Sequence, residues 1–527
     1  MATASIDISA EINRGKRKPV SKPVEGLTQK AYLNTVASFL DYGAKVAVAS
    51  LVTPLLVAGL GSSLFGIWLM LSNLVTYISA ADGRPTQALK WVIANQQAID
   101  DPALKRRYVG SALAVWLLFL PILTVLSSVL IWFAPTITKV SPAQFLTVRL
   151  SCGLLVVNFL LTNLIALPES VLRGMNLGYK RMGLQASLEV VGGVLTVGAL
   201  YIGSGLIGLS GAQIILTALT GVLFWVVVKK YVSWFGIARP SMAEVRSFLR
   251  ISNWWFVWSW ITKLMMASDV VILGVIASAQ LVTTYVLTGY AGLTLLSLVT
   301  ITIGAVTPGL GGVIGQKNYQ KAIALCDEMM ATSWLFVTAA GSTILLWNRS
   351  FISLWVGPKH FAGFWPNLLI VLVMTQLVFI RNHTYVIDLT LKMRRKVIVG
   401  TISLALSIGL SAILIPPLGI TGLCIGMLAG RLLLTIYYPI LVNSYLGNPQ
   451  RRRLGRNLQR WLSMGILFAG SAYLGERFES KHWVEWVAGV VISFGLIFLI
   501  ALLTGLKADE RLPLLKRIKT VRLFRTA

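Results

Sequence analysis

The sequence has few of the residues that carry redox, metal or acid–base chemistry. Among 527 residues it contains only three Cys and three His, and charged residues account for 13%. Cys152, Cys326 and Cys424 lie far apart in the chain, and the histidines are isolated from one another. We therefore predict neither a disulfide framework nor a metal site.

Motifs for nucleotide binding or catalysis are also missing. The glycine-rich run 309–317 ends in Lys317 but lacks the spacing of a phosphate-binding loop and the Ser or Thr that follows its lysine. We therefore expect neither an enzyme nor a bound cofactor, and not a pump that hydrolyses ATP on its own.

The composition is instead that of a membrane protein. Hydrophobic residues make up 56% of the chain, and 17 residues are Trp. About 14 apolar stretches are long enough, or nearly so, to cross about 30 Å of hydrocarbon as helices. These predicted spans are 31–58, 64–81, 109–133, 146–172, 183–203, 206–228, 251–276, 281–310, 326–347, 364–390, 397–415, 418–445, 459–475 and 483–506. The predicted fold is an all-α integral membrane protein.

Charge of one sign dominates, with 47 Lys and Arg against 19 Asp and Glu. Most of these cations lie in the two tails and in alternate connections between spans. By the positive-inside rule this pattern places both termini in the cytoplasm, so the basicity reflects topology and predicts no nucleic-acid partner. The connection 84–108 is polar and basic, which predicts contact with anionic membrane lipids.

The chain shows signs of an internal duplication. A shift that places Lys45 on Lys263 also places Asp41 on Ser259 and Tyr42 on Trp260. We predict two six-helix lobes related by a pseudo-two-fold repeat, followed by a C-terminal helix pair. The predicted units are a basic N-tail 1–30, an N-lobe 31–228, a linker 229–250, a C-lobe 251–446, the extra pair 447–506 and a basic tail 507–527.

Four cations lie well inside predicted spans: Lys45, Lys263, Arg381 and Arg431. A charge at mid-membrane costs about 2.5–3.5 kcal/mol on insertion scales, so it normally faces a bundle interior or a wet cavity. One alternative is local pairing, of Lys45 with Asp41 and of Arg381 with Asp388. Lys263 and Arg431 have no such partner nearby in their own spans, which favours a cationic cavity for an anionic substrate.

Two further features favour a carrier over a membrane-embedded glycan enzyme. The predicted outer connections are short, the longest being roughly 348–363, which leaves little chain for a catalytic domain. Pro54 and Pro308 lie within predicted spans, where a missing backbone N–H loosens the helix. We predict that they mark bends that allow one lobe to move.

Four segments resemble bacterial lipid-linked oligosaccharide flippases, in the polysaccharide-transporter branch of the multidrug, oligosaccharidyl-lipid and polysaccharide exporter superfamily. They are Leu-Phe-Gly-Ile-Trp at 64–68, Ala-Asp-Gly-Arg at 81–84, Val-Leu-Arg-Gly-Met at 171–175 and Leu-Gly-Ile-Thr-Gly-Leu at 418–423. The resemblance covers roughly residues 30–446. That branch usually has twelve spans, whereas the lipid II flippases of the same superfamily commonly have fourteen.

The resemblance implies a flippase that moves an undecaprenyl-diphosphate-linked oligosaccharide from the inner to the outer leaflet by alternating access. It implies a bacterial inner membrane location and, as partners, the polymerase and co-polymerase of surface polysaccharide biosynthesis. A lipid II flippase and a cation-coupled multidrug exporter are the alternatives. The predicted substrate-binding residues combine the cations with neighbouring acidic and aromatic side chains: Lys45, Lys263, Arg381, Arg431, Asp41, Tyr42, Trp260 and Tyr385.

Overall fold

The computed structural model describes residues 27–83, 85–96, 101–175, 177–181, 183–390, 392–447, 454–506 and 511, and these residues form helices and connections without a β-strand. Most of the two predicted basic tails, and Arg84, lie outside the described residues. The α-helices in chain order are α1 Leu27–Ile78, α2 Pro85–Asn95, α3 Pro102–Ile137, α4 Phe145–Gly174, α5 Leu184–Tyr201, α6 Gly205–Tyr231, α7 Met242–Ile276, α8 Ala279–Gly315, α9 Tyr319–Trp355, α10 Phe364–Leu389, α11 Met393–Tyr445, α12 Leu454–Gly475 and α13 Trp483–Gly505.

Ten helices in the described part of the chain are long and apolar enough to cross a membrane: α1, α3–α6, α8–α11 and α13. Two of them contain a break at a glycine with positive φ, Gly61 in α1 (74°) and Gly419 in α11 (55°). Glycine adopts this backbone conformation without the steric penalty of a Cβ atom. Each of these two helices therefore contains two of the predicted spans, and the prediction of an all-α membrane protein is confirmed.

The two remaining predicted spans lie in α7 and α12, which are not among the ten. In α7 the apolar part is the short segment Ala267–Ile276. The helix begins with a capping box, in which the Ser241 hydroxyl accepts from the Glu244 amide at 3.2 Å and Glu244 accepts from the Ser241 amide at 2.8 Å. Its polar first turns precede the apolar segment, so α7 is not a uniformly hydrophobic helix.

The first helix, α1, packs against helices from both parts of the chain, because it contacts α5 on one side and α7 and α8 on the other. Further extensive contacts join α4 to α6, α7 to α11 and α10 to α11. The pair α12–α13 packs mainly on α9. The division into two related lobes remains a prediction, but these contacts place α1 between the helices that build the candidate site.

Candidate functional site

A cavity of about 450 Å³ opens between α1, α4, α5, α6 and one residue of α8. Most of its lining is polar or charged. The lining residues are Ser38, Asp41, Tyr42, Lys45, Thr162, Ile165, Ala166, Glu169, Arg173, Gln185, Glu189, Leu216, Thr217, Thr220, Phe224 and Ile301. We call this space the N-terminal cavity.

Helical periodicity accounts for the α1 wall of the N-terminal cavity. Asp41, Tyr42 and Lys45 are three and four residues apart, so their side chains share one face of the helix. Ser38 extends the same face by one turn. The Tyr42 hydroxyl donates to the carbonyl of Thr294 at 3.3 Å, which connects this face to α8.

The charges of the N-terminal cavity are not equivalent. Glu169 and Arg173, one turn apart on α4, form an ion pair at 2.7 Å. Glu189 accepts a hydrogen bond from Gln185 at 3.2 Å. Lys45 is exposed and forms no ion pair with a described residue, so the alternative in which it pairs with Asp41 is not what the structure contains. Its ammonium group therefore remains accessible from the cavity.

The other three predicted cations lie elsewhere. Lys263 on α7 donates to the Ser79 carbonyl at 2.5 Å and to the Ser79 hydroxyl at 2.7 Å. Ser79 follows the end of α1, where a cation is favourable because the last carbonyl groups of a helix carry partial negative charge. Arg381 on α10 donates to the Thr300 hydroxyl of α8 at 2.8 Å, so both side chains join two helices.

Arg431 on α11 is buried, with 2% of its surface exposed. Its guanidinium donates to the Met265 carbonyl at 3.0 Å, and its Nε and Nη1 have no hydrogen-bond partner among the described residues. The charge nevertheless interacts with the carboxylate of Asp269, which itself accepts from the Tyr285 hydroxyl at 2.8 Å. This buried group joins α7, α8 and α11.

Only three of the eight predicted substrate-binding residues line the N-terminal cavity: Asp41, Tyr42 and Lys45. Trp260 is 41% exposed on α7, and Tyr385 is half-buried near Arg381. The structure does not bring the four cations together in this cavity. The role of all eight residues in binding remains a prediction, but their surroundings differ sharply.

Sequence reasoning missed two features of this region. The first is the set Glu169, Arg173, Gln185 and Glu189, although the spacing of four residues within each pair was a visible signal for one helix face. The second is Lys396, which the sequence places in a basic connection. Its side chain is fully buried, forms an ion pair with Asp388 and lies with its ammonium 3.7 Å from the centre of the Trp258 ring.

The fold is that of known transporters, although no protein family model and no curated protein matches the chain. An inward-facing multidrug resistance MATE family transporter of the MOP superfamily is 14% identical, with a TM-score of 0.59 over 78% of this chain and 96% of the other. A point mutant of the Vibrio cholerae MATE transporter VcmN is 15% identical, with a TM-score of 0.58 over 80% and 98%. An outward-facing MATE family transporter gives 14%, 0.56, 80% and 96%. These similarities establish the fold of the chain.

Proposed function

We propose that the protein is a flippase of the bacterial inner membrane. It carries an undecaprenyl-diphosphate-linked oligosaccharide from the inner to the outer leaflet by alternating access, with both termini in the cytoplasm. The observation that carries this proposal is the chemistry of the N-terminal cavity, which combines hydroxyl and amide groups with an accessible lysine.

Sites for drug-like ligands are lined predominantly by hydrophobic and aromatic side chains. The N-terminal cavity differs, because much of its wall presents hydrogen-bonding groups. These groups belong to Ser38, Thr162, Gln185, Thr217 and Thr220. They can replace the water that a sugar loses when it leaves solution, since a buried polar group without a partner is costly. This lining suits a hydrophilic glycan head group.

The diphosphate of the carrier lipid needs a cation during its passage. Lys45 supplies one on the cavity wall, and its ammonium is a compact charge on a flexible stem that can follow a moving phosphate. In this proposal Lys45 binds the diphosphate while the hydroxyl-rich wall binds the glycan. Lys263, Arg381 and Arg431 remain predicted contacts of later states, and Trp260 and Tyr385 remain predicted sugar contacts.

A cation-coupled multidrug exporter is the second candidate, and one specific observation favours it. Asp41, Glu169 and Glu189 all line the cavity, which gives it more carboxylates than cations. Carboxylates would attract a cationic drug. Because Glu169 is already paired with Arg173, the difference in charge depends on Asp41 and Glu189.

Reconstitution into proteoliposomes separates the two candidates. A fluorescent undecaprenyl-diphosphate oligosaccharide is placed in both leaflets, and a membrane-impermeant quencher then measures how much of it reaches the outer leaflet. The flippase proposal predicts loss of the protected pool with the protein and not in empty liposomes. Transport of a cationic dye without movement of the lipid would instead establish the exporter. Lipid II tested in the same assay distinguishes the third alternative.

A further inference from the structure

Pro54 leaves a carbonyl group of α1 without its helical partner. Proline has no N–H, so the carbonyl oxygen four residues earlier, that of Ser50, receives no hydrogen bond from within the helix. The structure fills this position from another part of the chain. The indole Nε1 of Trp355, the last residue of α9, donates to the Ser50 carbonyl at 2.6 Å.

Tyr290 of α8 strengthens the same junction. Its hydroxyl shares a hydrogen bond with the Ser50 hydroxyl at 3.1 Å and donates to the Val46 carbonyl at 3.3 Å. The Tyr290 ring lies 4.6 Å from the Trp355 ring, measured between centroids. One turn of α1 is thus held by side chains from both α8 and α9.

Beyond this turn, α1 is closed against α8. The Thr283 hydroxyl donates to the Ser62 carbonyl at 2.6 Å. At Gly66 the helices are so close that a Cβ atom would lie 1.9 Å from the Ala279 carbonyl oxygen. Before Ser50, by contrast, the residues from Ser38 to Lys45 line the open N-terminal cavity. The Trp355 bond therefore lies at the boundary between the open and the closed parts of α1.

Stacked rings connect this bond to the C-terminal helix pair. Phe351 stacks on Trp355 with centroids 5.0 Å apart, and Trp486 of α13 stacks on Phe351 at 5.3 Å. The Trp486 indole donates to the Trp347 carbonyl at 3.2 Å, which fixes its orientation. Because flat rings in contact resist displacement, α13 restricts the position of Trp355.

We propose that Trp355 is a positioning residue that latches α1 in the state with the N-terminal cavity open. It does so by donating to the carbonyl freed by Pro54, and the helix pair α12–α13 holds the latch through Trp486. Release of this bond accompanies opening of α1 from α8 at Thr283. The role in transport rests on the alternating access of the proposed function, whereas the latch itself is a property of the unliganded protein.

Thiol labelling tests the latch without a substrate. Cys152, Cys326 and Cys424 are replaced by Ala, and Thr283→Cys then reports access between α1 and α8. Trp355→Phe keeps an aromatic ring but removes the N–H, and it should raise the labelling rate about fivefold, the effect of one net hydrogen bond. Trp365→Phe, at an exposed Trp near the start of α10, is the matched control and should change nothing.

A double-mutant cycle identifies the bond itself. In a Pro54→Ala background the Ser50 carbonyl regains a helical N–H, so Trp355→Phe should have little further effect. Trp486→Ala should raise labelling by a smaller factor than Trp355→Phe. Equal labelling in wild type and Trp355→Phe, or an undiminished effect of Trp355→Phe in the Pro54→Ala background, would overturn the latch.

A second measurement covers the case in which the cysteine-free protein does not fold. Hydrogen–deuterium exchange of residues 46–62 in the otherwise unchanged protein should be faster in Trp355→Phe than in wild type or Trp365→Phe. Unchanged exchange there would also contradict the latch. If the labelling result holds and the reconstituted protein moves no lipid, the latch stands and the proposed function fails.

Discussion

The cations of the two parts of the molecule have opposite surroundings. In the N-terminal cavity the Lys45 ammonium is exposed and has no ion-pair partner among the described residues. Around α10 and α11, Lys396 and Arg431 are buried, and each is held by contacts within the protein. A cation in a membrane helix can thus serve either a passing substrate or the packing of helices. The contacts of each side chain decide which role it has.

Lys396 provides the largest expected effect on this comparison. Lys396→Met leaves Asp388 buried without its cation, which typically costs about 3–5 kcal/mol. The thermal midpoint of the purified protein should fall strongly, whereas Lys392→Met, at an exposed lysine near the same helix start, should leave it nearly unchanged. The double variant Asp388→Asn with Lys396→Met should recover much of the loss. An unchanged midpoint in Lys396→Met would remove the structural role of the pair.

Arg431 comes next. Arg431→Gln removes the hydrogen bond to the Met265 carbonyl and the charge that faces Asp269, and a hydrogen bond to a charged group is worth about 1.5–3 kcal/mol. The yield of folded protein and its thermal midpoint should both decrease. Loss of transport in this variant would then report instability before any loss of binding. A fully stable Arg431→Gln protein without transport would instead restore Arg431 as a substrate contact.

The smallest expected effect lies at the start of α7, before its apolar segment. Partial burial alone would raise the pKa of Glu244, but hydrogen bonds from Ser241 and Arg107 outweigh it and hold the pKa below its usual value. The carboxylate therefore stabilises the fold above the pKa of an unfolded Glu, about 4.3, and this contribution is lost as the pH falls through the lower folded value.

Glu244→Gln should accordingly lower the free energy of unfolding by less than about 1 kcal/mol at pH 7. Thermal midpoints measured between pH 7 and about pH 3.5 should converge with those of wild type in the acidic range, where an unfolded Glu is also protonated. A gap between the two proteins that widens on acidification would show that another group dominates.

Hydropathy alone predicted the helices, because a helix that faces lipid needs a long apolar stretch whatever its neighbours are. The breaks at Gly61 and Gly419 fall between predicted spans for the same local reason. Lys396 escaped prediction because Lys392, Arg394 and Arg395 beside it resemble a solvated connection, and only the contact with Asp388 and Trp258 identifies it as buried.

The location of the cavity could not be predicted either. Asp41, Tyr42 and Lys45 share a helix face that is visible in the sequence, but the wall opposite comes from α4, α5 and α6. Periodicity gives the face that a helix presents and not the helix that it meets. Arg431 illustrates the same limit, since no acidic residue lies near it in sequence and Asp269 lies on another helix.

The central claim is that Lys45 serves the substrate and not the fold, and one measurement tests it most directly. The initial rate of lipid-linked oligosaccharide flipping is compared in proteoliposomes for wild type, Lys45→Gln, Lys45→Arg and the matched control Lys321→Gln, at an exposed lysine on α9. We predict a rate about tenfold lower for Lys45→Gln with an unchanged thermal midpoint, because one charged contact to the phosphate is lost. Lys45→Arg and Lys321→Gln should remain close to wild type. An unchanged rate in Lys45→Gln would contradict the account.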